Sequence, residues 1–351
     1  VADKWLLIET FGGVEPSVVG VGNAPRRMVA LRSVLGRGRY LEDARSAVAK
    51  VVADAEPFDG RTADRQRRVL AVPLPTFTGR VHGVHLWIGR PDEEPPPRDP
   101  VGAWYFNLST DKIGGSDDLL DLYGVAPENR RRQRVTAEAF GRLVGNADEA
   151  AVLAKIVTSR PGAEHQATWT VRRDDGVLRA ADYSCRAVED ILPDGRREVV
   201  LRGLALDIGP AESTPSAPPP RPVALAQQVL VAAREPGRHR AIVNLRTLTL
   251  LRWLDDPLPG VAWQLDDVNP PAIHPDDVPL AKKLSDGLAT AGRVRAVLRL
   301  RAASGGWMRV DIAANLMLLD QHTTAALVTV SRPEPGDGES FVQVDGMFQD
   351  S

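Results

Sequence analysis

Three α+β modules, each an antiparallel sheet with flanking helices, are what this 351-residue sequence predicts. Two proline-rich breaks divide the chain, strand-like alternation follows short helical stretches, and one helix-then-hairpin order occurs twice. The length alone allows two or three domains of roughly 100–150 residues.

The first break runs from Arg90 to Pro100 and carries Pro91, Pro95, Pro96, Pro97 and Pro100. The second, Gly209 to Pro222, carries Pro210, Pro215, Pro218, Pro219, Pro220 and Pro222. Proline removes an amide donor and fixes φ, so both stretches read as exposed, semi-stiff linkers. The expected organisation is a first module over 1–90, a linker over 91–100 and a second module over 101–208. A linker over 209–222, a third module over 223–333 and a polar tail over 334–351 follow.

In the first module Lys4–Thr10 and Ser17–Val21 are strand-like, and Leu41, Ala44, Val48, Val51 and Val52 mark a helix from Tyr40 to about Ala55. Two strand-like runs follow, Arg68–Leu74 and Val81–Ile88, with turn chemistry between them at Pro75 and Gly79. The second module opens with Ala103–Leu108 and a short helix over Asp117–Tyr123 that stops at Gly124. Asn146 and Glu149 form a capping-box pattern for a helix reaching about Val157. Gln166–Arg173 and Val177–Val188 flank the turn Asp174-Asp175-Gly176, a hairpin signal. Along the second of these strands Ala181, Tyr183, Cys185 and Ala187 share one face, and Asp182, Ser184 and Arg186 the other. A last strand, Glu198–Ile208, follows the turn at Pro193-Asp194-Gly195.

The third module repeats that order. Pro275, Asp276 and Asp277 open a helix striped by Leu280, Ala281, Leu284 and Leu288. Arg293–Arg301, a turn at Ser304-Gly305-Gly306, Trp307–Leu316 and Ala325–Val330 complete a meander. Its hairpin trails that of the second module by about 130 residues, the spacing of one domain-sized unit used twice.

The 44 basic and 46 acidic side chains leave a net charge of −2, so no field of one sign drives nucleic-acid or membrane-surface binding. A single cysteine, Cys185, excludes an internal disulfide and a cysteine-based zinc cluster, and suits a reducing compartment. No run approaches the ~20 apolar residues of a membrane span, and the start lacks a secretory pattern. The expected location is the cytoplasm; Val1 is not an initiator methionine, which leaves room for residues before it.

Helix, then three-strand meander, after a strand pair and short helices, is the element order of PAS domains. The stretch Ile273-His274-Pro275-Asp276-Asp277-Val278 resembles the helix-opening signature of that superfamily, and the first module resembles an incomplete GAF domain. With Trp5-Leu6-Leu7-Ile8-Glu9-Thr10 at its start and proline-rich joints, the chain is similar over roughly 3–333 to actinobacterial triple sensor-domain proteins. Those carry one GAF-like and two PAS-like domains and no output domain. The resemblance implies sensing or protein interaction with no assured ligand; the expected partner is a signalling protein or a small molecule, and no cofactor is expected. PAS-like domains also pair through flanking segments. Val223–Ala233, with Leu225, Val229, Ala232 and Ala233, reads either as a homodimer seam or as core packing.

Chemistry is sparse. His82 and His85, three apart on a strand, are expected on opposite faces, where they cannot share a metal. His274 reads as a local cap; His165, His239 and His322 carry no pattern. A haem-binding PAS domain needs a helix histidine, and Ala137–Val144 and Asn146–Val157 have none. Cys185 lies in an alternating strand, not in the helical segment of photoactive flavin domains, so buried packing is expected. The first module has no cysteine for a bilin. No P-loop, nucleophile elbow or HExxH occurs, and Gly20-Val21-Gly22 lacks the rest of a dinucleotide fingerprint. Asp117-Asp118, Asp255-Asp256 and Asp266-Asp267 read as caps and loops. The basic clusters Arg130-Arg131-Arg132 with Arg134, and Arg65, Arg67 and Arg68, lack interleaved aromatics for stacking bases. No catalytic residue, cofactor-binding residue or metal ligand is therefore assigned. A non-enzymatic multi-sensor is the leading expectation, a protein-interaction scaffold with filled cores the alternative, and an enzyme the third reading.

Overall fold

The structure, a computed structural model, describes residues 4–12, 15–36, 38, 40–145, 153–154, 158–191, 194–214, 234–319, 323–333 and 343–344. The first elements are β1 (Leu6–Glu9), β2 (Ser17–Val21), β3 (Ala24–Ala30), α1 (Leu31–Leu35), α2 (Tyr40–Asp54), β4 (Phe58–Arg61), β5 (Arg68–Pro75) and β6 (Val81–Gly89). Next come β7 (Val101–Asn107), β8 (Lys112–Gly115), α3 (Asp117–Leu122), β9 (Gln133–Val135), α4 (Thr136–Phe140), β10 (Leu143–Gly145), β11 (Glu164–Arg172), β12 (Leu178–Ile191) and β13 (Arg197–Pro210). The last are β14 (Arg238–Asn244), β15 (Thr249–Trp253), α5 (Val278–Ala291), β16 (Arg293–Arg301), β17 (Trp307–Leu318), β18 (Thr324–Ser331) and β19 (Gln343–Val344). The helices expected over Asn146–Val157 and Val223–Ala233 fall wholly or mostly outside the described residues, as does His322.

Three antiparallel sheets with few helices result, a three-module architecture with a larger share of strand than the sequence suggests. Their orders are β3-β2-β1-β6-β5-β4, β10-β11-β12-β13-β7-β8-β9 and β15-β14-β18-β17-β16-β19. Stripped of edge additions, each is one pattern: first strand beside the last, second strand outside the first, and a 2-1-5-4-3 sequence across the sheet. The repeat expected between the later two modules thus extends to the first. Gln343 and Val344 pair with Arg295 and Val294, so part of the expected tail joins the third sheet.

The chain forms two compact units. One comprises the described residues of Val1–Gln133, Arg142–Ala147 and Ser159–Pro220; the other, those of Arg134–Gly141, Asp148–Thr158 and Arg221–Ser351. The first unit is layered. Helices α1 and α2 bury Leu31, Leu41, Ala44, Val48 and Val51 against Leu6, Ile8, Val18, Val84 and Leu86 of the first sheet. Its opposite face, with Leu7, Phe11, Val19 and Leu74, packs on Val101, Ala103, Ala180, Leu204 and Leu206 of the second sheet. Alternation explains the division, since neighbours on a strand point to opposite faces and β1 is apolar on both. The 91–100 stretch is not a free linker. The Trp5 indole donates to the Pro96 carbonyl at 2.7 Å, and the Asp207 amide to the Pro100 carbonyl at 3.0 Å. Proline lacks a donor but keeps a good acceptor, which is the group used here.

In the second unit α5 lays Ala281, Leu284 and Leu288 on Val294, Ala296, Leu298, Val310, Ala314 and Val328. Gly292 in the left-handed region ends α5, its amide donating to Leu288 O at 2.9 Å. Among the described residues no helix is long and apolar enough to cross a membrane.

Candidate functional site

The second sheet's other face carries the most distinctive chemistry. Gly102 lets α3 lie directly on β7: a Cβ there would stand 2.5 Å from the Leu119 Cα. Ser116 fixes the start of α3, its hydroxyl accepting from the Leu119 amide (3.3 Å) and the Ala103 amide (3.1 Å). At the far end the Arg173 guanidinium donates to the Asp121 and Leu122 carbonyls at 2.9 and 3.0 Å, a cation at the negative pole of the helix. Beneath α3 the strands present small residues, Ala181, Gly203 and Ala205. The Trp104 ring lies over Gly203, where a Cβ would meet it at 2.2 Å.

Three aromatic rings border that floor. Trp104 meets Tyr183 edge-on at 6.3 Å, and the Tyr123 and Tyr183 hydroxyls are 3.1 Å apart. Burial pushes the Tyr183 phenol well above its ordinary range, so it serves as a neutral hydrogen-bonding group. Arg142, paired with Asp174, stacks over Tyr123 at 5.5 Å. Among the described residues the buried Trp104 Nε1 has no hydrogen-bond partner. Cys185 and His165 are opposite each other on this face. Cys185 is buried, as its alternating strand predicts, and burial raises its thiol to about 12, so thiolate chemistry at neutral pH is closed to it. His165 Nε2 and Ser159 Oγ are 2.7 Å apart. The face offers aromatic surface edged by polar side chains, an arrangement that can bind.

Between the two sheets of the first unit lies a buried polar network. Glu9 is only 1% exposed; it accepts from the Phe11 amide (2.8 Å) and the Ser17 amide (3.2 Å), and Arg186 reaches it at 3.3 Å. Burial raises the Glu9 carboxyl's pKa, against the lowering pull of the Phe11 amide and Arg186. Arg202 lies opposite Arg186, donates to the Phe11 carbonyl at 3.1 Å and pairs with Asp190, which Arg80 also meets at 3.1 Å. His82 joins this network, its Nδ1 2.9 Å from the Trp104 carbonyl.

That placement corrects the expectation for the two histidines. The register of β5 and β6 jumps from Leu74–Gly83 to Pro75–Val81, so His82 is an extra residue in a bulge. His82 then faces Phe11 and Trp104, while His85 sits opposite Leu7 on the same face of the sheet. Burial drives both imidazoles down to about 4. Alternation holds only where the ladder is regular, and a bulge leaves no reliable sequence mark.

The remaining candidates have local partners. Arg130 pairs with Asp121, Arg68 with Asp59 at 2.8 Å, and Arg67 lies over Tyr40 at 6.0 Å. Asp117 and Asp118 sit in the first turn of α3, and Gly22 takes the left-handed position of the β2–β3 turn. In the second unit Asp255 holds Arg240 at 2.7 Å, and Asp266 accepts from the Val268 and Asn269 amides at 2.7 and 2.8 Å. His274 Nδ1 accepts from the Asp276 amide at 3.2 Å, the local cap its place before Pro275 predicts. Its ring meets Trp307 at 4.6 Å, and Arg301 covers the same indole at 3.9 Å. The aromatic face was missed from sequence because Trp104, Tyr123 and Tyr183 come from three separated segments; only the Tyr183 alternation pointed there.

The chain is similar to an uncharacterized protein from Mycobacterium tuberculosis whose crystal structure is known. Identity is 30%, the TM-score is 0.80, and the match covers 94% of this chain and 96% of that one. Two further solved structures match with TM-scores of 0.24, too low to bear on fold or function. One is a sensory box histidine kinase/response regulator from Burkholderia thailandensis E264 (18% identity, covering 32% of this chain and 79% of that one). The other is an RNA-binding light-oxygen-voltage receptor (10% identity, 66% and 95%). No protein with curated function matches. Residues 4–97, 100–207 and 223–341 match in turn the N-terminal, middle and C-terminal domains of one family. With all three domains in order and a relative matched over nearly its whole length, the chain belongs to the Rv3651-like family.

Proposed function

We propose that this chain is a non-catalytic signalling protein built from one GAF-like and two PAS-like modules, and that its middle module takes a small, largely apolar ligand. The observation that carries the reading is the α3 face of the second sheet. There a Trp104 indole N–H with no partner among the described residues and the Tyr123–Tyr183 hydroxyl pair border a floor of alanine and glycine. A buried donor without an acceptor is costly, by about 1–3 kcal/mol, and a ligand carbonyl or hydroxyl would satisfy it.

Native mass spectrometry of protein purified from its own host tests this. A retained small-molecule mass, lost in Trp104→Phe and Tyr183→Phe variants that still fold, is the expected result. A bare polypeptide mass, together with no thermal shift across a metabolite library, would refute it.

The scaffold reading draws on a different observation, the tightly filled interior between the first two sheets. It predicts a ligand-free middle module and capture of one defined protein partner by the intact chain.

A further inference from the structure

The chain crosses between its two units twice on the way from Gln133 to Arg142. It is in the first unit at Gln133, in the second from Arg134 to Gly141, and back in the first at Arg142. In the second unit this stretch forms α4, which packs on β15, the edge strand of the third sheet, and buries Thr136, Ala137 and Phe140. The Glu138 carboxylate ties down its start: one oxygen accepts from the Val135 amide at 3.1 Å and from the Leu265 amide at 2.9 Å. Gly141 closes the far end, its amide donating to the Ala137 carbonyl at 3.2 Å.

The return into the first unit lands on the aromatic face. Gly141 alone separates α4 from Arg142, whose guanidinium covers the Tyr123 ring at 5.5 Å and pairs with Asp174. The Arg142 carbonyl accepts from the Arg172 amide at 2.9 Å, and Leu143 of β10 packs on the same apolar cluster as Trp104, Tyr123 and Tyr183. Beyond β10 the chain is in the second unit again: Leu153, Ala154 and Thr158 group there, the first two buried. Arg142 and β10 are thus held between two segments that belong with the third sheet.

A helix of five residues has no stability of its own, because nucleation costs more than so few hydrogen bonds return. α4 is therefore helical only while docked, and docked helix against released coil makes a two-state element. A link of one residue spans at most about 3.6 Å, so a larger displacement on one side is carried to the other. We infer that α4 couples the Tyr123–Arg142 edge of the aromatic face to the third module: moving Arg142 off Tyr123 shifts α4 towards release from β15, and releasing α4 loosens β10. The use of that coupling as a signal rests on the middle module taking a ligand; the coupling itself does not.

The test is hydrogen exchange of the full chain, read by mass spectrometry, with one variant on each side of the link. Arg142→Ala should speed exchange in peptides covering α4, β15 and Leu265 by about fivefold or more. Glu138→Ala, which removes the acceptor shared by the Val135 and Leu265 amides, should speed exchange in peptides covering β10 and β11. Arg173→Ala is the control: it takes the cation from the end of α3 on the same face but is no chain neighbour of α4, so β15 should keep its wild-type protection. Arg142→Lys and Glu138→Gln, gentler forms of the same changes, stand in where a variant fails to fold. Exchange that rises only in the variant's own unit, or a β15 that responds equally to Arg173→Ala, would overturn the coupling. A bare native mass spectrum alongside both cross-unit effects sinks the ligand reading alone; a retained mass alongside confined effects sinks the coupling alone.

Discussion

Leu204→Ala is the sharpest test of the shared interior. Leu204 is fully buried between the first two sheets, and a Cβ added at Gly83 would stand 2.5 Å from its Cδ1. Gly83 and Leu204 already touch, so the surrounding strands have little freedom to close the gap. Leucine-to-alanine changes at rigid sites fall at about 3–5 kcal/mol within the general 2–5 kcal/mol range. At about 3 kcal/mol, amides exchanging through unfolding of this unit should open about a hundredfold more often. Hydrogen exchange read by mass spectrometry should then show equal loss of protection in β1, β2 and β6 and in β7, β12 and β13. Leu288→Ala, in the α5 core, should leave those strands unchanged and weaken β16–β18 instead. If Leu204→Ala exposes β12 and β13 while β1 and β6 keep their protection, the two sheets unfold separately and the argument fails.

Three further outcomes follow from the geometry. Gly102→Val should lift α3 off β7 and cost about 1–3 kcal/mol, read as a fall in the urea midpoint, because its Cβ would overlap Leu119. His82 and His85 titrate near 4 when folded and near 6.5 when unfolded, so the unfolded chain binds more protons between those values. Stability should be full above pH 6.5 and fall as pH drops towards 4, by at most about 3 kcal/mol per histidine; denaturant midpoints for His82→Gln with His85→Gln should be flatter across that window. Cys185 should resist a thiol reagent at pH 8 in the native protein and react at once in denaturant; comparable rates in both would contradict its burial.

Strong alternation was readable in advance. Ala181, Tyr183 and Cys185 against Asp182 and Arg186 gave β12 and its sidedness, and the stripe of Leu280, Ala281, Leu284 and Leu288 gave α5. β14 and β15 were not legible. β14 opens Arg-His-Arg, and the hairpin turns through Leu248 at φ 58°, a left-handed leucine that no glycine or asparagine rule forecasts. The shared interior is foreshadowed by Leu6-Leu7-Ile8, apolar at every position, as befits a strand covered on both sides. The aromatic site depends on long-range pairing of β7 with β13, which local pattern does not encode.

The path of the chain between its two units has a practical corollary. Arg134–Gly141 comes from the middle of the sequence yet groups with the residues that follow Pro220. Cleaving at the second proline-rich stretch would therefore strand that segment on the wrong fragment. Each half would lose neighbours that the intact polypeptide supplies, so dissecting this family module by module at its apparent joints would yield pieces that misreport the whole.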